Sequence, residues 1–230
     1  MSKSLYLECY SGISGDMTVA ALIDLGADKE ALLRSLESLK ISGFKIEISR
    51  VKKSGIDACD FNVILDEHHE NHDHDMDYLH GHNVKVNESK ECNEEHYHKD
   101  MNHEIEHAHH HEHKGLPEIL EIIYSSDITE NAKNTAVKIF KIIAKAEAEA
   151  HGSDINSVHF HEVGAVDSIV DIVAVAVCLD DLEISDVVVT ELYEGRGTIR
   201  CQHGVIPVPV PAVVNIIQSN KDRKSTRLNS

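Results

Sequence analysis

The sequence predicts an α+β protein with a mixed sheet flanked by helices, interrupted by a disordered insertion rich in histidine and acidic residues. Two stretches, Phe44–Val51 and Cys59–Leu65, alternate apolar and polar residues as half-buried strands do. Other stretches place apolar residues at helical spacing, most clearly between Ala132 and Ala146. Hydrophobic residues make up 41% of the 230, which is enough for a packed core around these elements.

Changes in composition divide the chain into four predicted regions. Residues 66–114 show no hydrophobic period, so we expect this insertion to be disordered without metal. Residues 218–230 lose all pattern and turn basic, and we interpret them as a non-native or disordered tail. The core is therefore predicted to form from an N-terminal part, 1–65, and a second part, 115–217.

The N-terminal part is predicted to contain two helices among three strands. Gly26 is expected to end the first helix, and Lys53-Ser54-Gly55 to supply the turn of a hairpin. In order, the predicted elements are a strand at Leu5–Tyr10, a Gly/Ser turn at Ser11–Asp16, helices at Met17–Leu25 and Lys29–Leu39, and strands at Phe44–Val51 and Cys59–Leu65.

The second part is predicted to be mostly helical. Asp127 or Thr129 can cap a long helix that ends before Gly152, and Asp167 is predicted to cap a strongly apolar helix. In order, the predicted elements are helices at Leu116–Tyr124 and up to Ala150, a strand at Ser157–Phe160, a helix at Ser168–Leu182, strands at Asp186–Leu192 and Thr198–Cys201, an extended Ile206–Pro211, and a helix beginning at Ala212–Ile217.

The charge balance favours cations as partners. The net charge is −18 with histidine neutral, and residues 66–113 contribute −11 of it, from 14 acidic residues and three lysines. Nucleic acid and anionic membrane surfaces need clustered Lys and Arg, so we predict neither as a partner. Five scattered cysteines without a CxxC pair, no secretory signal and no long apolar run indicate the cytoplasm.

The insertion contains 14 of the 18 histidines, mixed with carboxylates. Neutral imidazole is a common ligand of late first-row divalent metals, so this segment is predicted to bind several such ions loosely. The spacings are irregular and encode no single tetrahedral site; a solvated linker that binds metal incidentally is the alternative. The predicted metal ligands here are His68, His69, His72, His74, His107, His109, His110, His111 and His113.

A second group of potential ligands lies between His159 and Asp171. In an extended strand His159 and His161 point to the same face, with Glu162 beside them. Asp167 and Asp171 are one helical turn apart and share a face of the following helix. We predict a metal site that includes His159, His161, Asp167 and Asp171; the alternative is a capping aspartate beside two polar histidines.

The turn Ser11–Asp16 joins a predicted strand to a predicted helix. Gly-rich turns that lead into a helix present free N–H groups to an anion, so Gly12, Ser14, Gly15 and Asp16 are predicted to bind a phosphate. The turn has neither a GxGxxG nor a Walker A pattern. A tight turn in which Asp16 caps the helix is the alternative.

Four stretches carry long motifs in a fixed order: Leu5–Met17, Glu147–Gly152, His159–Asp171 and Cys201–Pro209. Together they resemble the nickel insertion protein of nickel-pincer cofactor biosynthesis, the LarC family. The resemblance covers about residues 5–217 except the insertion, and a His-rich segment at this point is familiar in that family.

The resemblance implies a nickel-inserting lyase that places Ni²⁺ in a pyridinium-3,5-bisthiocarboxylic acid mononucleotide. It also implies CTP with Mg²⁺ or Mn²⁺, a C-terminal half or subunit that carries nucleotide binding, and a client enzyme such as lactate racemase. The family protein continues well beyond this chain's end, so catalysis by this chain alone is in doubt. We predict His159, His161 and Glu162 as the catalytic residues, supplied with Ni²⁺ by the insertion.

A nickel storage or buffering protein without a catalytic role is the competing hypothesis. In that case the histidine-rich insertion performs the function and the core is only its scaffold. A zinc hydrolase is less well supported, because the sequence has no HExxH helix.

Overall fold

The computed structural model describes residues 3–66, 114–158, 160, 165–190, 192, 195–201 and 204–219. Within these ranges there are six helices and six strands, numbered here in chain order. The helices are α1 (Gly15–Asp24), α2 (Lys29–Glu37), α3 (Leu116–Ser125), α4 (Glu130–His151), α5 (Val166–Asp181) and α6 (Pro211–Ser219). The strands are β1 (Lys3–Leu7), β2 (Phe44–Lys53), β3 (Ile56–Leu65), β4 (Ile184–Val189), β5 (Gly197–Cys201) and β6 (Gly204–Val208).

The core is built around α5, whose side chains are apolar on nearly all sides. Ile169, Val170 and Val173 are fully buried, and α1, α2 and α4 pack against the helix that carries them. A helix that is apolar all round must be surrounded by other elements. The Phe140 ring of α4 lies 6.4 Å from the Phe160 ring, which anchors the segment before α5 in the same core.

Both sides of the insertion contribute to this one core. Leu22 and Leu36 precede the insertion, Ile119 and Phe140 follow it, and all four belong to the same buried cluster. At the end of β3, Asp66 N–H donates to the Gly43 carbonyl at 2.9 Å. Asp66 therefore lies at the open end of the β2–β3 hairpin; the structure does not describe residues 67–113.

The predicted α+β class is confirmed, with both parallel and antiparallel strand pairing. In the described residues the strands form three separate pairs rather than one sheet: β1–β4 is parallel, whereas β2–β3 and β5–β6 are antiparallel. Lys53 pairs with Ile56, so Ser54 and Gly55 form a two-residue turn, both with positive φ (53° and 83°). The predicted hairpin turn is confirmed.

Two predicted helix ends are also confirmed. The Thr129 side chain accepts a hydrogen bond from Ala132 N–H at 3.1 Å and so caps α4. Gly152 follows α4 with φ of 62°, the left-handed conformation that glycine adopts without strain.

The predicted cap of α5 is wrong, and so is the alternative in which Asp16 caps α1. Asp167 lies inside α5, which begins at Val166 and has Ala165 as its N-cap. The apolar side chain of Val166 is buried, and this packing extends the helix beyond the local capping signal. Likewise α1 begins at Gly15, so Ser14 rather than Asp16 is its N-cap residue.

The predicted strand at 157–160 is also wrong in its described residues, because residues 157, 158 and 160 lie in no regular element. At the other end of the chain, α6 continues to Ser219, two residues into the predicted tail. None of the helices in the described ranges is long and apolar enough to cross a membrane.

Candidate functional site

The N-terminus of α1 meets the first turns of α5, and this junction brings three carboxylates together. The backbone N–H of Asp16 lies near the Asp171 carboxyl group and acts to lower its pKa. The Ser14 hydroxyl donates to the Asp16 carboxylate and accepts no hydrogen bond from the first N–H groups of α1. The positive end of α1 is therefore in contact with a carboxylate of the chain itself.

Gly15 permits this close approach. A Cβ atom at Gly15 would lie 2.4 Å from Asp171 Oδ2, 2.7 Å from its Cβ and 2.9 Å from its Cγ. Such distances are far inside ordinary contact, and the Asp171 Cβ is fixed to the backbone of α5. The glycine is therefore required by the contact between the two helices and not by its own φ angle.

Asp171 is the most perturbed carboxyl group at this junction. Burial, followed by the negative charges of Asp16 and Asp167, raises its pKa from 3.8 to about 6, against the opposing hydrogen bond from the Asp16 N–H. Its Oδ1 atom is buried and has no hydrogen-bond partner among the residues that the structure describes. A buried carboxylate oxygen without a donor, beside two further carboxylates, favours a proton or a cation at this point.

Asp167 lies one turn before Asp171 on α5. One of its oxygens accepts the Ser168 N–H at 2.8 Å, a bond within the first turn of the helix. Its charge still acts on Asp171. Among the described residues, no group of three or more His, Cys, Asp or Glu side chains is arranged to hold a metal ion. Asp16, Asp167 and Asp171 therefore interact electrostatically without forming a complete ligand set.

All of the predicted imidazole ligands, and Glu162, lie outside the described residues. This applies to His159, His161 and Glu162, and it applies to every predicted ligand in the insertion. Phe160, between the two histidines, is described and is 1% exposed. The predicted roles of His159, His161 and Glu162 remain predictions.

The structure joins two predicted sites that are separate in the sequence. Asp16 belongs to the predicted anion-binding turn and Asp171 to the predicted metal site, yet the two residues are in direct contact. Nothing in the local pattern indicates that contact, except that Gly15 immediately precedes Asp16 and allows another chain segment to approach. Elsewhere, Glu147 and His151 lie one turn apart on α4, with 3.6 Å between Oε2 and Nε2.

Comparison with known proteins identifies the family. The model of the family described as "Nickel insertion protein" matches residues 5–229. A protein of Alkaliphilus metalliredigens is 53% identical over 220 residues, which are 96% of this chain and 47% of that protein. A protein of Clostridium acetobutylicum is 43% identical (94% and 50%), and one of Geobacillus kaustophilus is 41% identical (94% and 45%).

All three relatives are named pyridinium-3,5-bisthiocarboxylic acid mononucleotide nickel insertion protein. The chain spans about half the length of these relatives. No solved structure matches it.

Proposed function

We propose, because the chain belongs to the nickel insertion protein family, that it binds Ni²⁺ and brings it to a pyridinium-3,5-bisthiocarboxylic acid mononucleotide for insertion. The observation that carries this proposal is the Asp171 carboxyl group, with a buried, unpartnered oxygen and with Asp16 and Asp167 beside it. Ni²⁺ is the substrate metal of this reaction and the mononucleotide its organic substrate. The chemistry would then be that of a nickel-inserting lyase.

Asp171 is proposed as the oxygen donor that faces the incoming ion. Its Oδ1 has a free lone pair within the described residues, and the neighbouring carboxylates repel its negative charge. A divalent cation bound here would accept the lone pair and offset the repulsion. The described residues do not supply three ligands, so the proposed site also needs donors from His159, His161 or Glu162. Imidazole and carboxylate together form a shell that suits Ni²⁺.

The predicted phosphate contact with Gly12, Ser14, Gly15 and Asp16 requires the same cation. A phosphate placed against Asp16 and Asp171 alone would be repelled. A divalent ion between the carboxylates and the phosphate removes that repulsion, as metal ions do in many phosphate sites. We therefore propose that metal and mononucleotide occupy the junction together.

The resemblance implies CTP with Mg²⁺ or Mn²⁺, and we assign that site to the part of the family protein outside this chain. The proposed partners are that remaining part and a client nickel-pincer enzyme, and the proposed location is the cytoplasm.

The insertion is proposed to act as a reservoir. Its 14 histidines would hold Ni²⁺ at high local concentration and release it to the junction. The same composition is the observation that favours the competing function, nickel storage without insertion. Removal of the insertion distinguishes the two functions. Under the proposed function a nickel site remains at the junction, whereas under storage alone nickel binding is lost with the insertion.

The test is therefore made on a variant that lacks residues 67–113. Isothermal titration calorimetry at pH 7.5 should still detect Ni²⁺ binding, because the junction lies in the core. Asp171→Asn in that background should weaken binding at least about tenfold, since even the loss of a group that only supports a metal ligand typically costs about 10–100-fold in affinity. Asp127→Asn, which changes an exposed carboxylate, is the matched control.

Nickel transfer to the mononucleotide is measured with the remaining part of the Alkaliphilus metalliredigens relative supplied. Transfer should survive removal of the insertion when nickel is abundant, and should fall with Asp171→Asn. Loss of all nickel binding with the insertion would instead support storage. Equal transfer by Asp171→Asn and Asp127→Asn would refute the proposed role of the junction.

A further inference from the structure

The parallel pair β1–β4 has an uncovered outer face in the described part of the protein. Tyr6 pairs with Val188 in the register. Directly paired residues of adjacent strands project from the same face, so these two side chains form one apolar surface. Tyr6 is 59% exposed and Val188 is 48% exposed.

The opposite face of the pair is only partly covered. Leu5 packs against the buried core, whereas its register partner Val187 is 43% exposed. Parallel strands normally have both faces buried, since the helices that connect them pack on the sheet. A pair of strands with one exposed apolar face therefore lacks the packing element that would normally cover that face.

We infer that the outer face of β1–β4 is the docking surface for the remaining part of the family protein. About half of each relative lies outside the matched region, and this further segment, comparable in size to the chain, is the occupant that we assign to the face. A second copy of this chain is disfavoured, because two molecules of net charge −18 repel each other. The docked segment would present apolar side chains to Tyr6 and Val188, and a basic residue to Asp186 at the rim.

This inference rests on the proposal that the chain works together with the remaining part of its family protein. It does not depend on where nickel binds. Association can therefore be measured in a buffer that contains a chelator, separately from nickel transfer. Intact association with failed transfer would count against the proposed function alone.

The test uses the full chain and the part of the Alkaliphilus metalliredigens relative that lies outside the matched region. Their association is measured by isothermal titration calorimetry and by light scattering after gel filtration. Tyr6→Lys and Val188→Lys should each weaken it at least about tenfold, since a charge on a buried apolar contact is costly. Tyr6→Phe should retain it.

Tyr124→Lys is the matched control, because Tyr124 is 55% exposed but lies on α3. It should change the affinity by less than about twofold. Melting temperatures confirm that each variant is folded; the substituted side chains project into solvent in the isolated chain. The inference is overturned if Tyr6→Lys and Tyr124→Lys bind equally, if the wild-type parts do not associate, or if Tyr6→Lys dissolves a dimer of the chain alone.

Discussion

Replacing Asp171 with asparagine tests whether the carboxylate at the α1–α5 junction lowers stability. Burial and the charges of Asp16 and Asp167 raise the pKa of Asp171 from 3.8 to about 6 in the folded protein. The folded state therefore binds this proton more tightly than the unfolded state. The stabilising contribution of the protonated group is fully present below pH 4 and is lost as the pH rises to about 6.

The size of the effect follows from the same rise in pKa. At about 1.4 kcal/mol for each tenfold change in proton affinity, a rise from 3.8 to about 6 corresponds to at most about 3 kcal/mol. Asp171 is only partly buried, so solvent screening reduces the expected value to about 1–2 kcal/mol. Asparagine keeps an acceptor for the Asp16 N–H and removes the charge. Asp171→Asn should therefore be more stable than the wild type by that amount above pH 7.

The assay is urea denaturation at intervals from pH 4 to pH 8, with a chelator present. The wild type and the variant differ at position 171 alone, so the difference between their free energies of unfolding reports this substitution. For Asp127→Asn, the difference in free energy of unfolding from the wild type should not increase with pH. A gain that does not increase between pH 4 and pH 7, or a loss of stability at pH 8, would refute this account of the junction.

Two further substitutions test the contacts that position α1 and α4. Gly15→Ala should lower the free energy of unfolding by about 1–2 kcal/mol, because the new Cβ would overlap the Cβ and carboxylate of Asp171. Gly195→Ala is the control: the nearest atom to its new Cβ would be at 3.6 Å, so the free energy of unfolding should hardly change. Thr129→Ala should lower the free energy of unfolding by about 1 kcal/mol, because the Ala132 N–H loses its cap. Thr129→Ser should restore most of that stability. An unchanged melting curve for the alanine variant would show that the cap contributes nothing.

Features encoded within a few residues were predictable from the sequence. The Ser54-Gly55 turn, the Thr129 cap and the Gly152 helix end each depend on one or two residues with strong conformational preferences. The alternation of β2 and β3 depends only on which face is buried. These signals are local, so no knowledge of the remaining chain was needed.

Features decided by packing were not predictable. The sequence contains an aspartate just where a cap for α5 would be expected, yet the buried Val166 starts the helix one residue before Asp167. The sequence likewise predicts a strand at Ser157–Phe160, whereas the Phe160 ring packs near Phe140 of α4. In both cases the burial of an apolar side chain outweighed a weaker local preference.

The meeting of Asp16 with Asp171 depends on tertiary packing in the same way, and it changes what the α1 turn can bind. A helix N-terminus provides the equivalent of about half a positive charge, which offsets only part of one carboxylate. Here Asp16, Asp167 and Asp171 share that end of α1, and Asp171 responds by holding its proton up to about pH 6. The excess negative charge is the reason to expect a cation first and a phosphate only with it. A glycine-rich turn before a helix thus indicates anion binding only when the chain does not bring its own carboxylates to the same place.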